Sequence, residues 1–257
     1  MTPFFSVTRA MQGYNWNWLI FFQDVPTRDA TYLDWLLSGL LWTAAVSFCA
    51  WVMALALGIV MGVLRTVPSK PLARFASGYV EFFRNIPLLV QLFLWFYVVP
   101  ELLPRAAGIW IKQLEPTLGQ FLTAFICLGF FTSARITEQV RAGIQSLARG
   151  QGNAGLALGL TLPQTYRHVL LPMAFRIILP PLTSEFLNVF KNSSVALTIG
   201  LFELTKTGQQ ISEYTAQTFE AFTAVTVLYL AITLTVMTIM RWLERRVRVP
   251  GYMGAER

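Results

Sequence analysis

Residues 35–64 read WLLSGLLWTAAVSFCAWVMALALGIVMGVL, thirty positions without one Asp, Glu, Lys or Arg. A bilayer core ~30 Å thick needs about 20 predominantly apolar residues in helix to cross it. Trp35–Leu64 therefore reads as a spanning helix with length to spare for tilt. Four further candidates follow. Leu72 to about Leu103 starts weakly, with Arg74, Glu81 and Arg84, and Asn85-Ile86-Pro87 is expected to break or kink it, because proline removes a backbone donor and restricts the residue before it. Pro116–Ala134 continues as helix toward Leu147. Pro172–Phe190 carries Arg176 and Glu185, and Ala221–Met240 again has no charged residue.

Composition agrees. The 257 residues are 55% hydrophobic and 13% charged, against about 25% charged in soluble domains, and the mean hydropathy is +0.54. The fold class predicted is an all-α integral membrane protein with about five transmembrane helices. The net charge of +7 sits beside apolar segments without any basic-aromatic binding motif, which argues for contact with the lipid bilayer and against nucleic acid. Arg65, Lys70 and Arg74 follow the first span, Arg135, Arg141, Arg149 and Arg167 follow the third, and Arg241, Arg245, Arg246 and Arg248 follow the fifth. Charges balance in the other connections and in the N-terminal arm, where Arg9 and Arg28 face Asp24 and Asp29. Positive residues stay inside, so the N-terminus is expected outside and the C-terminus inside. Residues 1–34 read as an outer, interfacial arm, 35–246 as one membrane domain, and 247–257 as a cytoplasmic tail. Trp16–Phe22, followed by Gln23 and Asp24, is too short for a span and lacks a small-residue cleavage pattern; it is expected to stay as an interfacial helix.

Reactive chemistry is sparse. No Gly-Lys dipeptide occurs, which excludes a Walker-type phosphate loop. His168 is the one histidine and falls in a basic connection; no Gly-x-Ser-x-Gly elbow is present. Cys49 and Cys127 sit singly inside apolar runs, as small buried hydrophobes do. No catalytic residue, metal or cofactor is assigned. The Gly58-xxx-Gly62 pattern suits close helix packing, within the chain or between subunits.

The longest connection carries the most information. Residues 149–181 read RGQGNAGLALGLTLPQTYRHVLLPMAFRIILPP. Asn153 can cap a short helix, Gly159 can end it with a positive φ, and Pro163 can start the next turn. Two short helices joined by a glycine form a knob rather than a span. The segment resembles the EAA loop of importer permeases in the ATP-binding-cassette superfamily: Ala154, Gly159 and Leu179-Pro180 match, while Asn153 replaces the usual Glu and Gly155 the usual Ala. Phe83-Arg84-Asn85-Ile86-Pro87-Leu88-Leu89-Val90-Gln91 and Phe190-Lys191-Asn192-Ser193-Ser194-Val195 are similar to the polar amino-acid branch of that superfamily. Within it, residues 95–104 (WFYVVPELLP) and 193–200 (SSVALTIG) look like the glutamate/aspartate importer permeases.

That resemblance implies a type I importer permease architecture in the bacterial cell inner membrane. The chain would move a polar amino acid inward by alternating access without catalysing a reaction itself. It further implies two cytoplasmic ATPase subunits that bind ATP and Mg, a second permease subunit (sister or identical), and a periplasmic substrate-binding protein. Asn153, Ala154, Gly155, Leu158, Gly159 and Pro163, within residues 149–163, would then form the ATPase-coupling loop.

Ionisable residues at membrane depth face a cavity or a partner. Arg84, Glu185 and Lys191, with Asn192 and Ser193 where the helix is open to interruption, are the candidates for the substrate pathway. The alternative for Arg84 and Lys191 is an interfacial position or a structural pair with Glu185 or Glu81. Outside the importer reading, an ATP-independent channel or secondary transporter is the main rival, ahead of a scaffold or a membrane enzyme.

Overall fold

The computed structural model describes residues 14–26 and 30–247. The expectations for Arg9, Arg28, Asp29 and Arg248, and all of the tail beyond Val247, fall outside the described residues. Helices dominate, and the described residues contain no strand, only a single bridge between Asp24 and Thr31.

Helix α1 (Tyr32–Leu64) begins with a capping box, in which Thr31 and Asp34 exchange hydrogen bonds between side chain and backbone. Its 33 residues extend ~50 Å at 1.5 Å per residue. Next come α2 (Lys70–Asn85), α3 (Leu88–Leu102, with a π turn at Leu94–Val98), and α4 (Arg105–Lys112). Helix α5 (Pro116–Gln145) is followed by α6 (Arg149–Ala157) and by α7 (Leu162–Ile199), whose last turn, Ser193–Ile199, is 3₁₀. Helices α8 (Leu204–Thr215) and α9 (Thr218–Val247) complete the chain.

Four helices, α1, α5, α7 and α9, are long and apolar enough to cross a membrane; the α2–α3 pair makes a fifth if it counts as one span. That pair is the second sequence-predicted run, broken at Asn85-Ile86-Pro87 as expected, with its two arms bent by 103°. Ile86 takes an extended backbone and Pro87 opens α3, the conformation that proline imposes on itself and its predecessor. Helix α2 alone is amphipathic, and α3 is only ~22 Å long, so neither arm is a full span. The ring of Phe130 on α5 lies between both arms, stacked on Phe83 (5.1 Å, 9°) and on Trp95 (5.1 Å, 11°). The Trp16–Phe22 expectation shrinks to one 3₁₀ turn at Trp18–Phe22 with Trp16, Trp18, Leu19 and Phe22 exposed.

The core joins α1, α3, α5 and α7. Val46, Ala50 and Trp51 meet Leu92, Cys127, Ile136, Ile178 and Val189. Along α1 the Gly58-xxx-Gly62 pattern is the packing face: a Cβ on Gly58 would lie 2.6 Å from Ile136, and one on Gly62 2.6 Å from Val140. The two backbones approach so closely only because these positions lack side chains. Polar contacts fix α8. Buried Glu203 caps it, accepting from the backbone N–H groups of Thr205 (2.9 Å) and Lys206 (2.8 Å) and from the Tyr229 hydroxyl on α9 (2.9 Å). The Leu204 N–H donates to Thr43 on α1 (3.1 Å). Burial pushes the Glu203 carboxyl above its ordinary value despite those bonds.

Candidate functional site

Two helix interruptions meet in the middle of the molecule. At the first, the break after Asn85 frees backbone carbonyls that would face an apolar environment unpaired. Gln91, buried one turn into α3, supplies donors: its amide nitrogen donates to the carbonyls of Phe83 (2.7 Å) and Ile86 (2.9 Å). Its own carbonyl oxygen is buried without a hydrogen-bond partner. At the second, Ser193 and Ser194 turn their hydroxyls back onto the carbonyls of Phe190 and Lys191, each at 2.8 Å. That back-bonding competes with regular helix, and α7 tightens to 3₁₀ at Ser193. One small cavity lies between the breaks, lined by Leu88 and Leu92 of α3, Ala124 and Leu128 of α5, and Asn192, Val195 and Ala196 of α7.

The sequence-predicted pathway residues divide accordingly. Asn192 and Ser193 stand at the second break, with Asn192 at the shared cavity. Lys191 is exposed and makes no ion pair among the described residues. Glu185 pairs across helices with Arg135 of α5, at 3.8 Å; this corrects the expected alternatives, which paired it with Arg84 or Lys191. Arg84 faces Glu138 of α5 at 4.0 Å, and not Glu81. Ser184, Asn188, Lys191, Ser194 and Thr198 recur at three- and four-residue intervals and are exposed or half-buried. They form one polar stripe along α7. Lipid solvates such a stripe poorly, so it suits a water-filled passage or another polypeptide.

The knob has different chemistry. Asn153 lies inside α6 and not at its N-cap, which is Ala148; the helix starts five residues earlier than its side chain suggested. The start of α7 has its own cap, where Thr161 and Gln164 make a capping box and Pro163 occupies the first turn, as expected. Gly159 does adopt the left-handed region, φ +85°. Gly155 is buried against Thr165, where a Cβ would come within 2.9 Å. Asn153, Ala154, Leu158, Gly159 and Pro163 are all exposed, Leu158 at 82%. Leu156 and Leu162 on either side are exposed as well, and clustered exposed apolar side chains mark a surface that meets a partner.

Comparison with known proteins places this geometry. Residues 54–249 match the family described as "Binding-protein-dependent transport system inner membrane component". The chain belongs to this family. It is 51% identical over 243 residues to the glutamate/aspartate import permease protein GltJ of Escherichia coli strain K12, covering 94% of this chain and 99% of that relative. It is 34% identical to the probable glutamine ABC transporter permease protein GlnM of Bacillus subtilis, over 84% of this chain and 92% of the relative. Among solved structures, an amino acid ABC transporter crystallised with histidines superposes with a TM-score of 0.70 at 28% identity, covering 96% of this chain and 99% of that one. The inward-facing MetNI methionine transporter shares the fold, with a TM-score of 0.66 at 22% identity.

As an inner-membrane transport component, the chain holds two functional candidates that sequence reasoning missed. Gln91 was visible only as part of a motif; the available signal was an amide one turn after a proline break in an apolar run. Glu138 gave only a local signal, its i,i+3 spacing to Arg141. It accepts from Arg141 on its own helix at 2.9 and 2.8 Å and binds Arg65 from the end of α1, and no spacing rule links Glu138 to Arg65.

Proposed function

We propose that this chain is the membrane-spanning permease subunit of an ATP-binding-cassette importer that brings glutamate or aspartate into the cell by alternating access. The observation that carries the reading is the 51% identity to a glutamate/aspartate import permease, which spans nearly all of both chains. The polar stripe of α7 supports a passage for a polar solute at Lys191, Asn192 and Ser193, with Arg84 and Glu185 flanking it. Lys191 supplies an unpaired cation for an acidic side chain. The exposed turn from Asn153 to Pro163 is the docking knob for two cytoplasmic ATPase subunits, which bind ATP and Mg and do the hydrolysis. A second permease subunit covers the polar stripe; the 34% identity to the glutamate/aspartate import permease protein GltK of E. coli strain CFT073 supports a sister chain in that role. A periplasmic binding protein delivers the substrate, and the positive-inside pattern puts the C-terminus in the cytoplasm.

The test is uptake of labelled glutamate into proteoliposomes that hold the assembled complex, its binding protein and internal ATP. Uptake should need ATP and yield to aspartate, not to arginine or glutamine. ATP-dependent uptake of another amino acid would discard the substrate, and glutamate flux without ATP would replace the importer with a channel or secondary transporter.

A further inference from the structure

Between the docking knob and the bend at Asn85–Pro87 runs a continuous line of contacts, and the reading of it rests on the importer function proposed above. Buried Gly155 lets α6 sit directly on Thr165. The next residue, Tyr166, opens a π segment, Tyr166–Leu170, a distortion frequent at functional sites. Its hydroxyl donates to Thr66 at 3.1 Å, and Thr66 in turn donates to the Val63 carbonyl at 2.9 Å in the last turn of α1. Arg65, beside Thr66, pairs with Glu138. Arg141 holds the other oxygen of that carboxylate. Arg84, next to the last residue of α2, stands 4.0 Å from Glu138 on the Arg65 side.

Three guanidiniums from three helix ends thus converge on one carboxylate whose side chain is 21% exposed. Arg141 holds one oxygen and Arg65 the other, and Arg84, which shares the Arg65 oxygen, is the one held at the limit. Arg65 and Glu138 are only 19% and 21% exposed, Arg84 51%, so the carboxylate needs a cation at all times, and exchanging Arg65 for Arg84 keeps it paired. That gives the site two arrangements, differing in whether Arg65 or Arg84 occupies the shared oxygen. We propose that Glu138 is the positioning residue that links the ATPase stroke to the α2–α3 bend. Displacement of the knob moves Tyr166 and Thr66, shifts Arg65 on Glu138, and lets Arg84 take or release the freed oxygen, which resets the bend beside the passage.

The experiment measures amino acid imported per ATP hydrolysed, in proteoliposomes of the whole complex with its binding protein. In Glu138→Gln, binding-protein-stimulated hydrolysis should persist while uptake per ATP falls about threefold or more, with the half-saturating substrate concentration unchanged. Tyr166→Phe removes one hydroxyl, leaves the fold intact, and should lower the same ratio. It decides the matter if Glu138→Gln does not assemble. A wild-type ratio in Tyr166→Phe, or a parallel fall of uptake and hydrolysis in either variant, overturns the proposal. Wild-type complex that shows no ATP-dependent uptake sinks the importer reading itself, and this one with it.

Discussion

Arg135 of α5 reaches across to Glu185 of α7, its guanidinium 3.8 Å from the carboxylate and 4.9 Å over the ring of Phe131. The carboxylate is the better buried partner, 14% exposed against 44% for the arginine. Removing one charge from a buried pair leaves the other uncompensated, but the open guanidinium keeps part of its hydration. Glu185→Gln should therefore cost the assembled complex about 1–2 kcal/mol of stability. The double variant Arg135→Gln/Glu185→Gln should recover part of that loss. Thermal unfolding of the four members of this double-mutant cycle in nanodiscs measures the coupling, and additive losses would mean the pair contributes nothing.

Close packing of α1 on α5 predicts a second-site rescue. A Cβ at Gly62 meets the Val140 side chain at 2.6 Å and the Thr137 carbonyl at 3.1 Å. Gly62→Ala should destabilise by about 1–3 kcal/mol through overpacking, and Gly62→Leu should abolish assembly. Val140→Ala in the Gly62→Ala background makes room for the new methyl and should restore more than half of the lost yield of folded complex. Size-exclusion recovery after detergent extraction reads both effects; equal yields for Gly62→Ala and the double variant would refute the contact.

How much of this was legible in the sequence follows from the range of each interaction. Trp35–Leu64 and Ala221–Met240 announced themselves because hydropathy is a sum over neighbours in the chain. Pro87 marked the bend because its restriction is local, yet the bend's 103° depends on Phe83 and Trp95 clasping Phe130. Asn153 misled because a good capping residue is only a weak local preference; contact of Gly155 with Thr165 sets where α6 lies. Glu185 and Arg84 were singled out as groups that face a cavity or a partner. Their actual partners, Arg135 and Glu138, depend on how α5 is rotated against α7 and α2, which packing decides and composition does not.

Glu203 gives a pH dependence whose sign can be worked out. Burial holds its carboxyl above the usual value in the folded state, so the native protein binds this proton more tightly than the unfolded chain does. The contribution of Glu203 to stability is then fully present below the unfolded value, about pH 4.3, and is lost as pH rises from there through the raised folded value. Glu203→Gln keeps one capping oxygen and removes the titration. It should lower stability at acid pH by ~1 kcal/mol, as cap substitutions do, and flatten the profile at higher pH. Unfolding temperatures of wild type and variant across that window test the idea; parallel curves would show that Glu203 does not titrate there.

Lys191 makes the sharpest demand on the proposed passage. Its ammonium is exposed, lies within an apolar span, and has no ion pair among the described residues. It sits one residue before Asn192 at the cavity shared by both breaks. Arg135 and Arg65 have carboxylate partners, whereas Lys191, like Arg176 on the same span, has none among the described residues; of the two, Lys191 is the one beside the break. Lys191→Met keeps the length of the side chain and removes the charge, so helix packing should survive. Glutamate uptake by the reconstituted complex should fall by a factor of 10 or more, the scale expected when one charge-assisted hydrogen bond of about 1.5–3 kcal/mol is removed. Lys191→Arg should retain more activity than Lys191→Met, because it restores charge with altered geometry. Uptake at the wild-type level in Lys191→Met, with the complex assembled in normal amounts, would move the acidic substrate's path away from this face of α7.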